Sequence, residues 1–282
     1  MTSAATLFAP DSIRVRPSLP VVPSVTVEIG GIPILLQPSA PSFCGVLERR
    51  YAGFLNPLSE PAYRFGIYLS SRGTASDEDA RVFKRGPFWH LQRGDFRAQW
   101  DPRAGRGWIR QCSNPYSIDT VLRITHSLVL AQEGGFLVHA ASAMRGGRAF
   151  LFAGVSGTGK TTMARLAPPD AVVLTDEISY VRRTATGYRA YGTPFAGELA
   201  RSGTNTSAPL DTLYLLQQGP ENRIEPIAPK EAARALLRHI LFFAHEEEMV
   251  AHVFDSVLEF VSKVRVARLV FTPETRVWEL IG

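Results

Sequence analysis

Apolar and polar residues alternate over short stretches through the first 115 residues of the chain, which is the pattern of half-buried strands. Residues 25–29 and 32–36 alternate on either side of Gly30-Gly31, so a β-hairpin is predicted there. Apolar residues recur at helical spacing from about residue 43 to residue 54. Aromatic-rich segments between residues 63 and 110 predict further strands, and we expect their rings to pack in a core.

The pattern changes near residue 116. Residues 118–132 carry apolar side chains on one face, which is typical of an amphipathic helix, and Gly134-Gly135 ends that helix. Two more helices are predicted at residues 229–243 and 247–260. Short apolar runs predict the following strands: 136–143, 148–153, 171–175, 178–182, 188–191, 210–217, 264–270 and 277–281.

These patterns predict an α/β protein that is α+β over the whole chain. We expect a flexible, proline-containing arm at residues 1–23, a smaller strand-rich α+β domain at residues 24–115, and a second domain at residues 116–282. The N-terminal domain is expected to recognise a partner or to mediate assembly.

Composition narrows the class of protein. Hydrophobic residues make up 45% of the 282 positions and charged residues 20%, as in an ordinary globular chain. The net charge of +5 is spread without a block of like charges, so a nucleic-acid partner is not expected. No apolar run is long enough to span a membrane. Cys44 and Cys112 lack metal-site spacing, and we expect reduced thiols in a cytoplasmic protein.

One motif in the second half has a definite chemistry. It matches G-x-x-x-x-G-K-[ST], the P-loop, and lies between a predicted strand and a predicted helix. Its glycines allow successive amides to form an anion nest, to which the helix dipole adds. Lys160 would bind the outer phosphates and Thr161 would ligate Mg²⁺. The predicted ATP-binding residues are Gly154, Val155, Ser156, Gly157, Thr158, Gly159, Lys160, Thr161 and Thr162.

An acidic pair, Asp176 and Glu177, follows the buried strand predicted at residues 171–175. Ligands of α/β sheets bind at the carboxyl ends of strands, so these carboxylates are expected near the phosphates. One would hold Mg²⁺ while the other accepts a proton from the attacking hydroxyl. The pair comes unusually soon after the loop, because residues 160 and 176 are separated only by a short helix and a strand.

With this spacing the sequence resembles the HPr kinase/phosphorylase group, whose catalytic domain shares its mixed-sheet core with ATP-dependent phosphoenolpyruvate carboxykinase. The resemblance implies a C-terminal P-loop kinase domain in which Asp176 is the general base and His139 lies near the phosphates. It also implies metal ligation by Thr161, Glu177 and Glu198, and a homo-oligomer. The segments that mark HPr recognition and phosphorolysis in that group are not found here, so neither property is expected.

The function expected from the sequence is transfer of the γ-phosphoryl of ATP to a hydroxyl, with Mg²⁺ as cofactor and a serine or threonine of a protein or peptide as acceptor. Arg145 and Arg201 are further candidates for neutralising phosphate charge. Two alternatives remain open. One is an ATP-binding regulatory module without transfer activity, and the other is a carboxykinase-like enzyme.

Overall fold

The computed structural model describes residues 23–70, 78–199 and 202–282. Within these ranges the fold is mixed α/β and consists of two strand-rich sheets with few helices. The arm expected at residues 1–23 lies almost wholly outside the described residues, and so does Arg201. No helix among the described residues is both long and apolar enough to cross a membrane.

The first sheet has seven strands in the order β1-β2-β3-β7-β6-β5-β4. The pairs β2–β3 and β3–β7 are parallel and the other pairs are antiparallel. A helix, α1 (Ser42–Arg50), connects β2 to β3. The strands are β1 (Val25–Ile29), β2 (Ile32–Pro38), β3 (Tyr63–Leu69), β4 (Arg81–Arg85), β5 (Phe88–Arg93), β6 (Phe96–Asp101) and β7 (Arg106–Gln111).

One face of this sheet forms a core and the other faces solvent. Phe65, Trp89 and Trp100 are buried on the inner face, as expected for most of the aromatic residues in these strands. Phe43 and Leu47 of α1 belong to the same core cluster. On the outer face Tyr68 and Trp108 remain exposed, so the aromatic residues do not all belong to the core.

The helix α2 (Pro115–Glu133) joins the two sheets and packs against both α1 and the second sheet. Its first turn is capped by the Asn114 side chain, which accepts a hydrogen bond of 2.9 Å from the Tyr116 amide. It ends at Gly134, whose φ of 82° is the left-handed conformation of a helix C-cap. Because other elements surround it, α2 is buried on nearly every face, including at Asp119 and His126.

The second sheet has nine strands, in the order β10-β8-β11-β12-β13-β16-β14, with β9 between β8 and β13 and β15 beside β8. Its strands are β8 (Phe136–Arg145), β9 (Arg148–Ala153), β10 (Ala171–Thr175), β11 (Ile178–Thr184), β12 (Gly187–Tyr191), β13 (Ser207–Gln218), β14 (Arg223–Pro226), β15 (Ile240–Leu241) and β16 (Arg265–Phe271). The accompanying helices are α3 (Lys160–Arg165), α4 (Pro229–Leu237), α5 (Glu247–Lys263) and a 3-10 helix (Thr275–Leu280).

The strand directions bring two loops to the same edge of this sheet. Both β9 and β10 are antiparallel to β8, which lies between them, so the two run in the same direction. Their carboxyl ends therefore meet at one edge, roughly 10 Å apart at ordinary strand spacing. The loop that starts at Gly154 follows β9, and Asp176 and Glu177 follow β10.

Two sequence predictions in this half are wrong. Residues 277–281 do not form a strand. Residues 277–280 belong to the 3-10 helix and Ile281 follows it, and the buried residues Val277, Trp278 and Ile281 have helical spacing. The helix predicted at 229–243 ends at Leu237, because residues 240–241 leave it to pair with β8 as the strand β15.

Candidate functional site

A glycine-rich loop connects the buried strand β9 to the short helix α3. Gly157 and Gly159 have φ angles of 80° and 108°, which residues with a side chain rarely adopt. At Gly159 a Cβ atom would lie 2.6 Å from the Phe271 ring, so glycine is also required sterically. The Gln218 side chain donates a hydrogen bond of 3.0 Å to the Gly157 carbonyl and attaches the loop to β13.

Lys160 is the first residue of α3 and is only 7% exposed. Its Nζ atom donates hydrogen bonds to the carbonyls of Gly154 (2.9 Å) and Val155 (3.3 Å), so the side chain folds back over the loop. Burial lowers the pKa of Lys160, while the carboxylates of Glu177 and Glu198 act in the opposite direction. The loop thus holds a cation among its own backbone atoms.

The loop forms one wall of a cavity of about 430 Å³. Of the residues predicted from the motif, Gly154, Val155 and Thr158 belong to the loop without lining this cavity, and Val155 is 67% exposed. Its lining comes from the loop, α3, β8, α2, the position after β10 and the segment after β12. The residues are Arg123, His139, Ser156, Gly157, Gly159, Lys160, Thr161, Thr162, Glu177, Ala196, Gly197 and Glu198.

The two acidic residues after β10 face different surroundings. Asp176 is 3% exposed, and its carboxylate accepts hydrogen bonds from the backbone amides of Gly197 (3.1 Å) and Leu199 (2.9 Å). The Glu177 carboxylate lines the cavity. Asp176 was predicted to be the general base, but here its two oxygens hold the segment that carries Glu198. Glu177 is the acid of the pair that faces the loop.

His139 lies on β8 and lines the same cavity as the loop. The sequence resemblance implied a position near the phosphates. Its Nε2 atom is 3.3 Å from a carboxylate oxygen of Glu177. Burial and then the Lys160 cation lower the pKa of His139, although Glu177 opposes this shift. In its neutral form His139 can donate one ring N–H to Glu177.

Arg123 of α2 also lines the cavity, although it is not among the site residues predicted from the sequence. Its guanidinium lies 4.9 Å from the centre of the Phe195 ring, and its Nε atom is buried without a hydrogen-bond partner among the described residues. Burial lowers the pKa of Arg123, whereas the carboxylates of Asp119 and Glu177 act to raise it. The sequence did contain a hint, because this arginine stands alone among apolar neighbours in a helix.

Arg145 does not reach the cavity. Its guanidinium binds Asp170 and donates hydrogen bonds of 2.7 Å to the carbonyls of Trp278 and Ile281. It therefore fastens the end of the chain to β8, and the phosphate role considered for it is wrong. The described residues contain no group of three or more His, Cys, Asp or Glu side chains placed to hold a metal ion.

The fold and the site define a mixed α/β protein in which a glycine-rich loop, a buried lysine and an acidic residue that follows β10 surround one cavity. A family model described as SynChlorMet cassette protein ScmC matches residues 116–282, which is more than half of the chain. The chain belongs to this ScmC family. A search of curated proteins gave no significant match.

This assignment corrects the family suggested by the motif spacing. The resemblance to the HPr kinase/phosphorylase group was wrong as a statement of family, because the matching model is that of ScmC. A short loop-to-acid spacing recurs wherever a strand directly follows a short helix, so it does not identify a family. The roles that rested on that resemblance now depend on the geometry of the cavity.

Proposed function

We propose that this protein is an ATP-dependent phosphotransferase that moves the γ-phosphoryl group to a hydroxyl of a polypeptide. The observation that carries the proposal is the shared edge of the second sheet, where the glycine loop and Glu177 face each other across one cavity. A P-loop followed by a helix N-terminus is an anion site, and an acid facing it supplies what the acceptor hydroxyl needs. The second domain is, on this proposal, a P-loop kinase domain.

The proposed roles follow from where each side chain lies. The loop amides and Lys160 bind the phosphates, and Arg123 adds a second cation to the lining of the cavity. Thr161 and Glu198 offer the oxygen ligands that Mg²⁺ prefers. When bound, Mg²⁺ would neutralise charge on the phosphates. The Glu177 carboxylate is the proposed general base, and His139 orients it through the contact at 3.3 Å.

In the proposed step the acceptor oxygen forms a bond to the γ-phosphorus as the bond from that phosphorus to the bridging oxygen of ADP breaks. The hydroxyl proton passes to Glu177, and ADP leaves. Asp176 acts through the backbone, because its hydrogen bonds to Gly197 and Leu199 fix the segment that places Glu198 at the cavity. It is a positioning residue in this scheme.

The test is transfer of labelled phosphate from γ-labelled ATP to other proteins of the SynChlorMet cassette, which is the cassette named in the family description. We expect a product heavier by the mass of one phosphoryl group, about 80 Da. Lys160→Ala should abolish transfer and weaken ATP binding. Arg165→Ala, which removes an exposed cation from the same helix, is the matched control and should leave both unchanged.

Two outcomes would contradict the proposal. ATP binding by Lys160→Ala at wild-type affinity would show that the loop is not the phosphate site. ATP binding by the wild-type protein without transfer to any polypeptide of the cassette would favour the alternative, a regulatory module that uses the nucleotide as a conformational switch.

A further inference from the structure

The outer face of the first sheet carries a group of exposed side chains that the proposed function does not use. We call Tyr68, Arg97, Trp108 and Arg110 the arginine patch. They lie on β3, β6 and β7, and Tyr68, Arg110 and Arg97 form one row across the three strands. Tyr68 is 54% exposed and Trp108 is 38% exposed. The patch is on the side of the sheet away from its core.

The charges in this row are not balanced. Arg97 lies directly opposite Arg110 in the antiparallel pair of β6 and β7. Like charges opposite each other destabilise a sheet. Neither arginine has an ion pair within residues 23–70, 78–199 and 202–282. Among the described residues, therefore, no carboxylate offsets these two charges.

Another row on the same face contains acidic residues as well as arginines. Arg106 of β7 lies opposite both Asp101 of β6 and Arg64 of β3, and Arg64 binds Glu60. The two rows therefore differ in net charge, and the row of Arg97 and Arg110 is the one without an acidic member. Both line a surface cavity of about 540 Å³, where an anionic group could reach the two guanidinium groups together. The other charged residues of its lining, Arg93 and Asp95, form an ion pair with each other.

The aromatic members of the patch indicate what kind of anion fits. Trp108 lies opposite Gly66, which has no side chain to cover the indole ring. Tryptophan, tyrosine and arginine are the residues that contribute most binding energy in protein interfaces. Arginine also binds carboxylates through two parallel hydrogen bonds. Single-stranded nucleic acid would need a continuous basic track, and the row with Asp101 and Glu60 interrupts such a track here.

We propose that the arginine patch binds an acidic segment of the polypeptide that receives the phosphoryl group. This inference rests on the proposed function, because it identifies the partner as the acceptor. The acidic segment docks on the first sheet while a separate hydroxyl enters the cavity of the second. Recognition and chemistry are thus assigned to different sheets, and they can be tested separately.

The test measures the binding of a short fluorescein-labelled peptide of alternating glutamate and serine by fluorescence anisotropy. We expect wild-type protein to bind it, with affinity that falls as salt rises. Arg97→Glu should lower the affinity by about tenfold or more, as expected for reversing one charge of a close pair. Arg234→Glu, at an exposed position on α4, makes the same charge change elsewhere and should leave binding unchanged.

A folding defect would be distinguished from a binding defect by thermal unfolding. Arg97→Glu places a carboxylate opposite Arg110, so its unfolding temperature should equal or exceed that of the wild type. Equal peptide affinities for Arg97→Glu and the wild type would overturn the inference. Binding of a single-stranded oligonucleotide by the wild type, without binding of the peptide, would also overturn it.

The same preparations separate this inference from the proposed function. ATP binding and transfer that persist when the peptide does not bind would refute the patch alone. A wild-type protein that binds the peptide but neither binds ATP nor transfers phosphate would refute the proposed function, and with it the identity of the partner as the acceptor. Reduced transfer to a cassette polypeptide by Arg97→Glu, with unchanged ATP affinity, is the combined result we expect.

Discussion

Replacing the two adjacent acids one at a time separates their roles. Asp176→Asn keeps the shape of the side chain but turns one acceptor oxygen into a donor NH₂ group. That group would face the amide of Gly197 or Leu199, and the amide would lose its partner in a site that is 3% exposed. Glu177→Gln makes the same chemical change at a side chain that is 32% exposed and, within the described part of the chain, receives no backbone hydrogen bond of this kind.

The expected stability changes therefore differ. A hydrogen bond to a charged group contributes about 1.5–3 kcal/mol, and leaving a buried donor unpaired costs a similar amount. We expect Asp176→Asn to lower the free energy of unfolding by about 2–3 kcal/mol, which for a chain of this size is roughly 3–5 °C in unfolding temperature. Glu177→Gln should change the free energy of unfolding by less than about 1 kcal/mol.

Activity should show the opposite order. Glu177→Gln should lower the transfer rate by about 100-fold or more, the usual contribution of a general base, while ATP affinity changes little. Asp176→Asn should retain measurable transfer at temperatures where it is folded. Thermal unfolding by circular dichroism and transfer of labelled phosphate measure the two effects. Full stability of Asp176→Asn with loss of transfer, together with an active Glu177→Gln, would refute this reasoning and restore Asp176 as the base.

Three shorter predictions concern the loop, a buried histidine and Arg123. Gly159→Ala should destabilise the fold by about 2–4 kcal/mol, measured by urea unfolding, because of its φ of 108° and the Phe271 ring 2.6 Å away. Burial lowers the pKa of His126 to about 3 in the folded protein. As the pH falls below about 6.5, the unfolded chain takes up a proton at this histidine and the folded chain does not, so the free energy of unfolding decreases. The free energy of unfolding should fall by about 1.4 kcal/mol per pH unit near pH 5, and His126→Gln should reduce this pH dependence. Arg123→Met should reduce transfer by about 100-fold in a single-turnover assay, with ATP affinity changed only a few-fold.

The features predicted correctly from sequence are those encoded by neighbouring residues. The hairpin around Gly30-Gly31, most of α2 and the strand–loop–helix unit around Lys160 follow from periodicity and turn chemistry within a dozen positions or so. Each of these elements has its own boundary residues, such as Asn114 and Gly134 for α2. Tertiary contacts did not need to be known.

The failures depended on contacts between distant segments. Residues 240–241 are apolar like the helix before them, but β8 offers them a strand partner. Which acid faces the cavity was equally hidden, because β10 shifts register against β8 between Val173 and Thr175. A shift of one position exchanges the two faces of a strand, so alternation along residues 171–177 does not predict the side on which Glu177 lies.

The position of Arg123 shows how the first part of the chain contributes to the cavity. Asp119 lies one helical turn before Arg123 on α2, close enough for the two to pair. The Asp119 carboxylate instead accepts hydrogen bonds from Arg50 (3.1 Å) and from the Tyr51 hydroxyl (2.7 Å), at the end of α1. Because α1 satisfies this carboxylate, the Arg123 guanidinium is left to face Phe195 and Glu177. The first sheet and its helix thus supply a contact that keeps a cation available in the lining of the proposed phosphate site.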